Sequence, residues 1–229
     1  MDQESTYWQT LFVRNSCSNT FLVYYRIISA MLMSVFFLMI LACFPPYYLV
    51  KYASHWSMII TTGSCVINAV ASLEITRPHK KRYHWFEIGH FVYQLSISFN
   101  TVNTILFWVF LKNQLIDEHE PVYQKVLLLC MHTIPAWYCY LEIVLSRVAI
   151  NEEDFIASFG VIVGYLVINC ISTFNENKEV YEILQWSSIQ DVFKVVGIMV
   201  MFTILFYGFW RSTKGRVQYA LVKPGIKLL

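Results

Sequence analysis

Six stretches of the chain are apolar and long enough to cross a membrane, and this pattern limits the fold more than any other feature. A hydrocarbon core of about 30 Å requires about 20 consecutive apolar residues in a helix. Hydrophobic residues make up 57% of the 229 residues and charged ones 14%, whereas soluble domains carry about 25% charged residues. We therefore predict an all-α polytopic membrane protein, a bundle of six transmembrane helices. The predicted spans are Phe21 to Cys43, Pro46 to Ile75, Trp85 to Leu111, Val122 to Leu145, Phe155 to Phe174 and Val192 to Trp210.

The charges that flank the spans predict the orientation of the bundle. With six spans, both termini and the loops after the second and fourth spans share one side of the membrane. Lys and Arg accumulate on the cytoplasmic side of membrane proteins, so we expect both termini in the cytosol, or in the matrix of a mitochondrion. The side of the termini holds Arg14, Arg77, Lys80, Lys81, Arg82, Arg147, Arg211, Lys214, Arg216, Lys223 and Lys227, and the other side has Lys51, Lys112, Lys125, Lys178 and Lys194.

The chain divides into an N-terminal segment 1–20 on the cytosolic or matrix side, a six-helix transmembrane domain 21–211 and a basic C-terminal tail 212–229. A basic tail directly after a span is typical of a segment that lies against anionic lipid. Membrane lipids, and not nucleic acid, are therefore the expected partners. The six cysteines lie mostly within spans and form no C-x-x-C pair, so we interpret them as apolar packing residues. We expect no metal and no cofactor.

Polar side chains inside the spans are the candidates for function, because such groups are expensive in lipid and are often functional there. One group lies near span ends, where we expect the side chains to reach the headgroups. A second group lies deeper and is a stronger candidate for a site. The first group comprises Arg26, Glu74, Glu87, His90 and Lys194.

Three polar residues on three different spans are predicted at one depth. If the second span begins at Pro46, Ser54 lies ~12 Å inside the membrane at 1.5 Å per residue. By the same rise, Asn103 lies ~12 Å and His132 ~13 Å from the same surface. Asn100 lies one turn deeper on the face of Asn103. These side chains are expected to meet.

Pro135 indicates that this level of the fourth span faces protein or a wet cavity. Proline lacks an N–H, so it leaves the carbonyl of Met131 without its helical partner. Such a defect is tolerated away from lipid. We therefore predict that the segment "CMHTIP" lines an internal pocket.

A hydroxyl and a neutral imidazole at one level are the components of acyl transfer. Ser54 would be the nucleophile and His132 the base that takes its proton. The amides of Asn100 and Asn103 or the indole of Trp56 are candidates to stabilise an oxyanion, and the sequence does not choose among them. The alternative is that His132 makes a hydrogen bond between helices and only stabilises the bundle.

Short motifs between Tyr47 and about Trp186 occur in a recognisable order. A Tyr-containing stretch opens the second span, a Phe-Trp pair ends the third, and a Met-His-Thr run lies in the fourth. A Gly-Tyr pair and a Val-Tyr pair follow. The stretch that opens the second span is "KYASHWS", which contains Ser54, and the Phe-Trp pair is Phe107 and Trp108. The Met-His-Thr run is Met131, His132 and Thr133, with Glu142 ten residues after the histidine. The Gly-Tyr pair is Gly164 and Tyr165, and the Val-Tyr pair is Val180 and Tyr181.

In these motifs the chain resembles the androgen-induced and androgen-dependent family of multi-pass membrane hydrolases, which cleave fatty-acid esters of hydroxy fatty acids with a threonine and a histidine. The resemblance places Ser54 at the position of the threonine and His132 at that of the histidine. It implies six spans with cytosolic termini in the endoplasmic reticulum or the plasma membrane. It also implies a lipid ester as substrate and hydrolysis of a carboxylic ester as the activity.

Two other functions are compatible with the sequence. Leu128 and Leu129 stand where the family has an asparagine and a histidine before its Met-His-Thr. This loss of polar support motivates a non-catalytic role as an integral accessory subunit of a larger assembly with other membrane subunits, for instance a respiratory-chain complex of the mitochondrial inner membrane. The second possibility makes His55 and His132 the axial ligands of a haem, because both are predicted in the same half of the membrane.

Overall fold

The computed structural model describes residues 19–75, 84–112, 121–146, 148–176, 180–181 and 184–222. Several sequence-based expectations lie outside these residues. They are the N-terminal segment up to residue 18, the loop cations between residues 77 and 82, Arg147, Lys178 and the end of the tail after residue 222.

The described chain is almost entirely helical, and six of its helices are long and apolar enough to span a membrane. This confirms the prediction of an all-α bundle of six transmembrane helices. Helix α4 continues as a π-helical turn, Phe107–Leu111, and α6 follows a 3-10 turn, Glu152–Asp154. The α-helices are α1 (Asn19–Cys43), α2 (Tyr48–Lys51), α3 (Ala53–Ile75), α4 (His84–Leu106), α5 (Val122–Leu145), α6 (Phe155–Glu176) and α7 (Ile189–Val222).

Contacts between span ends show that consecutive spans run in opposite directions. At the end of the bundle that holds the start of α1, Arg26 donates a hydrogen bond to Ser72 near the end of α3. At the opposite end, the N–H of Ala53 at the start of α3 donates to the hydroxyl of Tyr181, which follows α6. We call this second end the far end.

Helix α4 occupies the centre of the bundle and packs against α3, α5, α6 and α7. From Tyr93 to Asn103 its side chains are buried on every face, and Tyr93 and Ile97, like Phe107 in the turn that follows, are at most 1% exposed. The outer helices expose apolar side chains instead, such as Leu32 on α1 and Ile204 on α7. Polar residues of α4 must therefore find their hydrogen-bond partners on neighbouring helices, because lipid offers none.

The second span is broken near its start, which differs from the single helix predicted from Pro46. Tyr52 is extended, with φ −103° and ψ 133°, so the short α2 ends there and α3 begins at Ala53. Ser54 therefore lies in the first turn of α3. The prediction of one unbroken helix from Pro46 was wrong, and the depth of ~12 Å was calculated from that helix.

Side chains compensate for the hydrogen bonds that this break removes. The indole of Trp56 donates to the carbonyl of Val50 at 2.9 Å, and the hydroxyl of Tyr165 donates to the carbonyl of Lys51 at 3.3 Å. Buried carbonyl groups require such partners. The break is thus stabilised by specific contacts within the bundle.

Two sequence features of α6 differ in what they do in the fold. The side chain of Asn151 caps its start by accepting a hydrogen bond from the N–H of Glu153 at 3.3 Å. The G-x-x-x-G step at Gly160 and Gly164 is a pattern that often lets another helix approach closely. A methyl group added at either glycine would meet no atom within 4 Å, so no helix in the described part of the chain packs there.

The expectation that Arg26 reaches the headgroups was wrong. Arg26 is 1% exposed and Glu142 is not exposed. The Nε of Arg26 donates a hydrogen bond to a carboxylate oxygen of Glu142 at 2.9 Å. Its Nη1 donates to the hydroxyl of Ser72 at 2.7 Å. His90 is also buried, and its Nε2 is hydrogen-bonded to the carbonyl of Ala149 at 2.6 Å. Both side chains point into the bundle, where they find hydrogen-bond partners.

Breaking the Arg26 and Glu142 pair should destabilise the protein strongly. Glu142→Gln leaves a buried guanidinium without a counter-charge, which costs about 3 to 5 kcal/mol of unfolding free energy. Replacing both residues by leucine removes both buried charges, so the loss of unfolding free energy should be smaller than in Glu142→Gln. Reversible unfolding of the protein in detergent micelles measures the difference. Lys194→Gln is the control, because its pair with Asp191 is partly exposed and should contribute less than about 1 kcal/mol. A double variant no more stable than Glu142→Gln contradicts this account.

Candidate functional site

A cavity of about 220 Å³ lies at the far end of the bundle, between the start of α3 and the first half of α5. Both predicted catalytic residues line it, and both are buried, Ser54 at 4% and His132 at 2% exposure. The structure therefore places both side chains on the wall of one partly open cavity. The other polar side chains of its lining are Tyr48, Tyr52, His55, Gln124, Lys125 and Tyr181.

Ser54 is held in the first turn of α3. Its backbone carbonyl accepts a hydrogen bond from the Ser57 hydroxyl at 3.0 Å. Within the described ranges, its own hydroxyl has no hydrogen-bond partner. A helix N-terminus carries partial positive charge, which favours negative charge that develops on a side-chain oxygen at this position.

His132 is fixed from three sides. Its ring stacks on Phe107 of the π-helical turn, with centroids 3.8 Å apart and planes 4° from parallel. Its Nδ1 lies 3.3 Å from the amide nitrogen of Asn103, and its carbonyl accepts from the Thr104 hydroxyl at 2.6 Å. Its Nε2 is buried and has no partner among the described residues. One nitrogen of a rigidly held imidazole is thus left for a ligand.

The hydrogen bonds around Asn103 fix the tautomer of His132. The Asn103 amide nitrogen is 3.4 Å from the Ser57 hydroxyl oxygen and 3.3 Å from Nδ1, so it donates to both. A neutral imidazole that accepts at Nδ1 carries its proton on Nε2. Rotation of the amide by 180° would instead place its oxygen, an acceptor, at Nδ1. Nδ1 would then carry the proton, and the lone pair of the imidazole would lie on Nε2.

The predicted oxyanion donors are not brought to the cavity. The amide of Asn100 donates to the hydroxyl of Thr61 at 2.7 Å, and the indole of Trp56 donates to the carbonyl of Val50 at 2.9 Å. Neither residue lines the cavity. The amide of Asn103 contacts Nδ1 of the imidazole, and Asn103 lines a second, apolar pocket. All three donors are already engaged.

Segment "CMHTIP" lines the cavity in part, since Ile134 is exposed. Met131 and His132 line the cavity, and Pro135 is buried within the bundle. The proline therefore faces protein and not lipid, as expected for a residue that removes a helical hydrogen bond.

His55 is a site residue that sequence reasoning considered only as a haem ligand. It is 3% exposed, it lines the cavity beside Ser54, and neither of its ring nitrogens has a partner among the described residues. Phe44 and Tyr48 pack edge to face on its ring, with centroids 5.8 and 6.3 Å away. Its position directly after Ser54 was the available signal.

Tyr181 is the second residue that the sequence did not single out as functional. It is 7% exposed and lines both the cavity and a smaller apolar pocket of about 50 Å³. That pocket extends between α4, α6 and α7 and is formed by side chains such as Phe99, Ile162 and Ile198. Burial raises the pKa of the Tyr181 hydroxyl to about 12. The polar cavity and the apolar pocket therefore meet at Tyr181, whose phenol is neutral.

Comparison with known proteins adds no relative. No family model, curated protein or solved structure matches the chain significantly. Within the described ranges, no three His, Cys, Asp or Glu side chains are grouped as they would be around a metal ion. The chemistry of the site is therefore inferred from its own geometry.

Replacing Asn103 should release the tautomer of His132. In Asn103→Leu the donor to Nδ1 is lost, so both neutral tautomers become populated, whereas the wild type should hold the proton on Nε2. Nitrogen-15 NMR of histidine-labelled protein distinguishes a protonated from an unprotonated ring nitrogen. Asn100→Leu is the matched control, because that amide contacts Thr61 and Ser96 instead. An unchanged His132 spectrum in Asn103→Leu would show that Asn103 does not set the tautomer.

Proposed function

We propose that the protein is an intramembrane lipid-ester hydrolase in which Ser54 attacks the ester carbonyl and His132 transfers the proton. The observation that supports this most directly is that both side chains line one cavity. There His132 Nε2 has no partner among the described residues, and the Ser54 hydroxyl makes no hydrogen bond within them. The motifs shared with the androgen-induced and androgen-dependent hydrolases support the same pair of residues. They also support a fatty-acid ester as the substrate class.

The proposed reaction begins with a change of tautomer. The Asn103 amide rotates so that its oxygen accepts from Nδ1–H, and the lone pair of His132 then lies on Nε2. Ser54 gives its proton to this nitrogen while its oxygen forms a bond to the carbonyl carbon. The imidazolium returns the proton to the leaving alcohol as the ester C–O bond breaks. Water then attacks the acyl-serine, with His132 acting as base and afterwards as acid.

The surroundings of the cavity suit a substrate that arrives from the bilayer. The polar lining can hold the ester and its alcohol, and the apolar pocket beside Tyr181 can hold part of an acyl chain. Ser54 and His132 are themselves buried, and electrostatic interactions with developing charge are stronger in such surroundings. We propose an integral protein of the endoplasmic reticulum or plasma membrane with cytosolic termini, so that the far end faces the lumen or the exterior.

Labelling with a lipophilic fluorophosphonate tests the nucleophile and the base. We expect the wild type to be labelled, Ser54→Ala to show no labelling, and His132→Gln to react about 100-fold more slowly, the lower range for general acid-base catalysis. Ser98→Ala is the control, because Ser98 is a buried serine of α4 that does not line the cavity. It should be labelled like the wild type.

Mass spectrometry of the labelled peptide gives the modified residue, and detergent size-exclusion profiles show that each variant is folded. Equal labelling of Ser54→Ala and wild type would refute the role of Ser54. A folded wild type that is never labelled, and that is recovered in a stoichiometric membrane complex, would support the accessory-subunit function instead.

A further inference from the structure

We propose that Tyr181 is the hydrogen-bond donor that stabilises the oxyanion formed when Ser54 attacks its substrate. This inference rests on the proposed function and adds a catalytic residue to it. It comes from a residue outside the spans, between α6 and α7, which no sequence pattern marks as catalytic.

The site needs a donor that its other residues do not supply. Attack on a carbonyl moves an electron pair onto the carbonyl oxygen, and a positioned donor lowers the barrier to this step. The amides of Asn100 and Asn103 and the indole of Trp56 all donate to other groups of the protein. Use of Asn100 or Trp56 would first require one of these hydrogen bonds to break, and in the proposed reaction Asn103 is occupied in accepting from Nδ1–H of His132.

Tyr181 is placed next to the nucleophile through the backbone. Its hydroxyl oxygen accepts a hydrogen bond from the N–H of Ala53 at 3.0 Å, and Ala53 directly precedes Ser54. Its ring packs edge to face on Tyr52, with centroids 5.7 Å apart and planes at 80°. Leu184, which forms an isolated bridge with Tyr181, is also buried. The phenol is therefore fixed at the start of α3.

The Tyr181 hydroxyl has two hydrogen-bond neighbours, and both act as donors to its oxygen. The oxygen accepts from the N–H of Ala53. While burial raises the pKa of Tyr181, the side-chain hydrogen bond with Tyr165 lowers it, as a donated hydrogen bond does. The proton of the Tyr181 hydroxyl is then left for a ligand. Acceptance of a backbone hydrogen bond polarises the O–H group and makes it a better donor. Because burial raises the pKa of Tyr181 to about 12, the phenol keeps this proton throughout the physiological range.

The location of Tyr181 also fits the carbonyl of a lipid ester. It lies on the boundary that the polar cavity shares with the apolar pocket. An acyl chain in the pocket and an alcohol in the cavity would put the carbonyl between them. As the bond from the Ser54 oxygen to the carbonyl carbon forms, the π pair moves to the carbonyl oxygen. That oxygen then accepts the hydrogen bond from Tyr181, and no proton leaves the phenol.

Tyr181→Phe is the main test, because it keeps the ring and removes only the hydroxyl. We expect kcat/KM for a long-chain ester and the rate of fluorophosphonate labelling to fall about 100- to 1,000-fold, the loss seen when one oxyanion donor is removed. Tyr93→Phe is the matched control. It also removes one buried phenol, but that hydroxyl donates to the carbonyl of Cys139, away from the cavity.

Two inhibitors separate this role from a structural one. A long-chain trifluoromethyl ketone forms a tetrahedral adduct with an oxyanion, whereas the matched ether binds without reaction. We expect Tyr181→Phe to lower the affinity for the ketone by the same factor as kcat/KM. The affinity for the ether should stay nearly unchanged. An equal loss for both inhibitors, or no loss for either, would overturn the proposal.

A second substitution covers the case in which Tyr181→Phe does not fold. Incorporation of 3,5-difluorotyrosine at position 181 keeps the hydroxyl and lowers its pKa, so the alkaline limb of the pH profile of kcat should move to lower pH. An unmoved limb would count against Tyr181. If Ser54→Ala abolishes labelling while both Tyr181 variants behave as wild type, the proposed function stands and only this inference fails. If the wild type itself is not labelled, both fail.

Discussion

The absence of hydrogen-bond partners in lipid is the constraint on which this structure depends. The spans of this chain carry many polar residues, and a bundle that left them facing lipid would be unstable. The fold places them on the central helix α4 and on the faces of α3 and α5 that contact it. The ion pair between Arg26 and Glu142 is the extreme case, since it holds two charges with almost no exposure. The cavity is one place where this internal pairing is incomplete, since ring nitrogens of His55 and His132 have no partner there among the described residues.

The sequence predicted the fold well because the six spans are defined by length and apolar content, which do not depend on tertiary contacts. The predicted ends of the first and fourth spans, Cys43 and Leu145, are those of α1 and α5. The break at Tyr52 was missed because no proline or glycine marks it. Its stability comes from Trp56 and Tyr165, and the Tyr165 contact bridges residues far apart in the chain. Arg26 was misplaced for a related reason, because proximity to a span end does not reveal which face of a helix points inward.

The site was predicted less completely than the fold. Ser54 and His132 could be paired from their helix positions, and the structure places both on one cavity. Asn100 and Trp56 were chosen by chemical type, and type alone cannot show that a donor is already engaged. Tyr181 could not be predicted from spacing, since it reaches Ala53 only through the folding of the segment after α6. Depth along a helix thus predicts which residues share a level but not which of their hydrogen bonds are free.

The interruption at Tyr52 has a consequence for how this protein can be made more stable. In an unbroken helix, the N–H groups of Ala53 and Ser54 would bond to carbonyls one turn earlier and would no longer face outward from a helix end. Stronger local helix formers between Tyr48 and Ala53 would raise helical propensity yet close this opening. For the proposed hydrolase, gains in stability at this position and retention of activity should therefore conflict, and the conflict arises from the backbone conformation of Tyr52 alone.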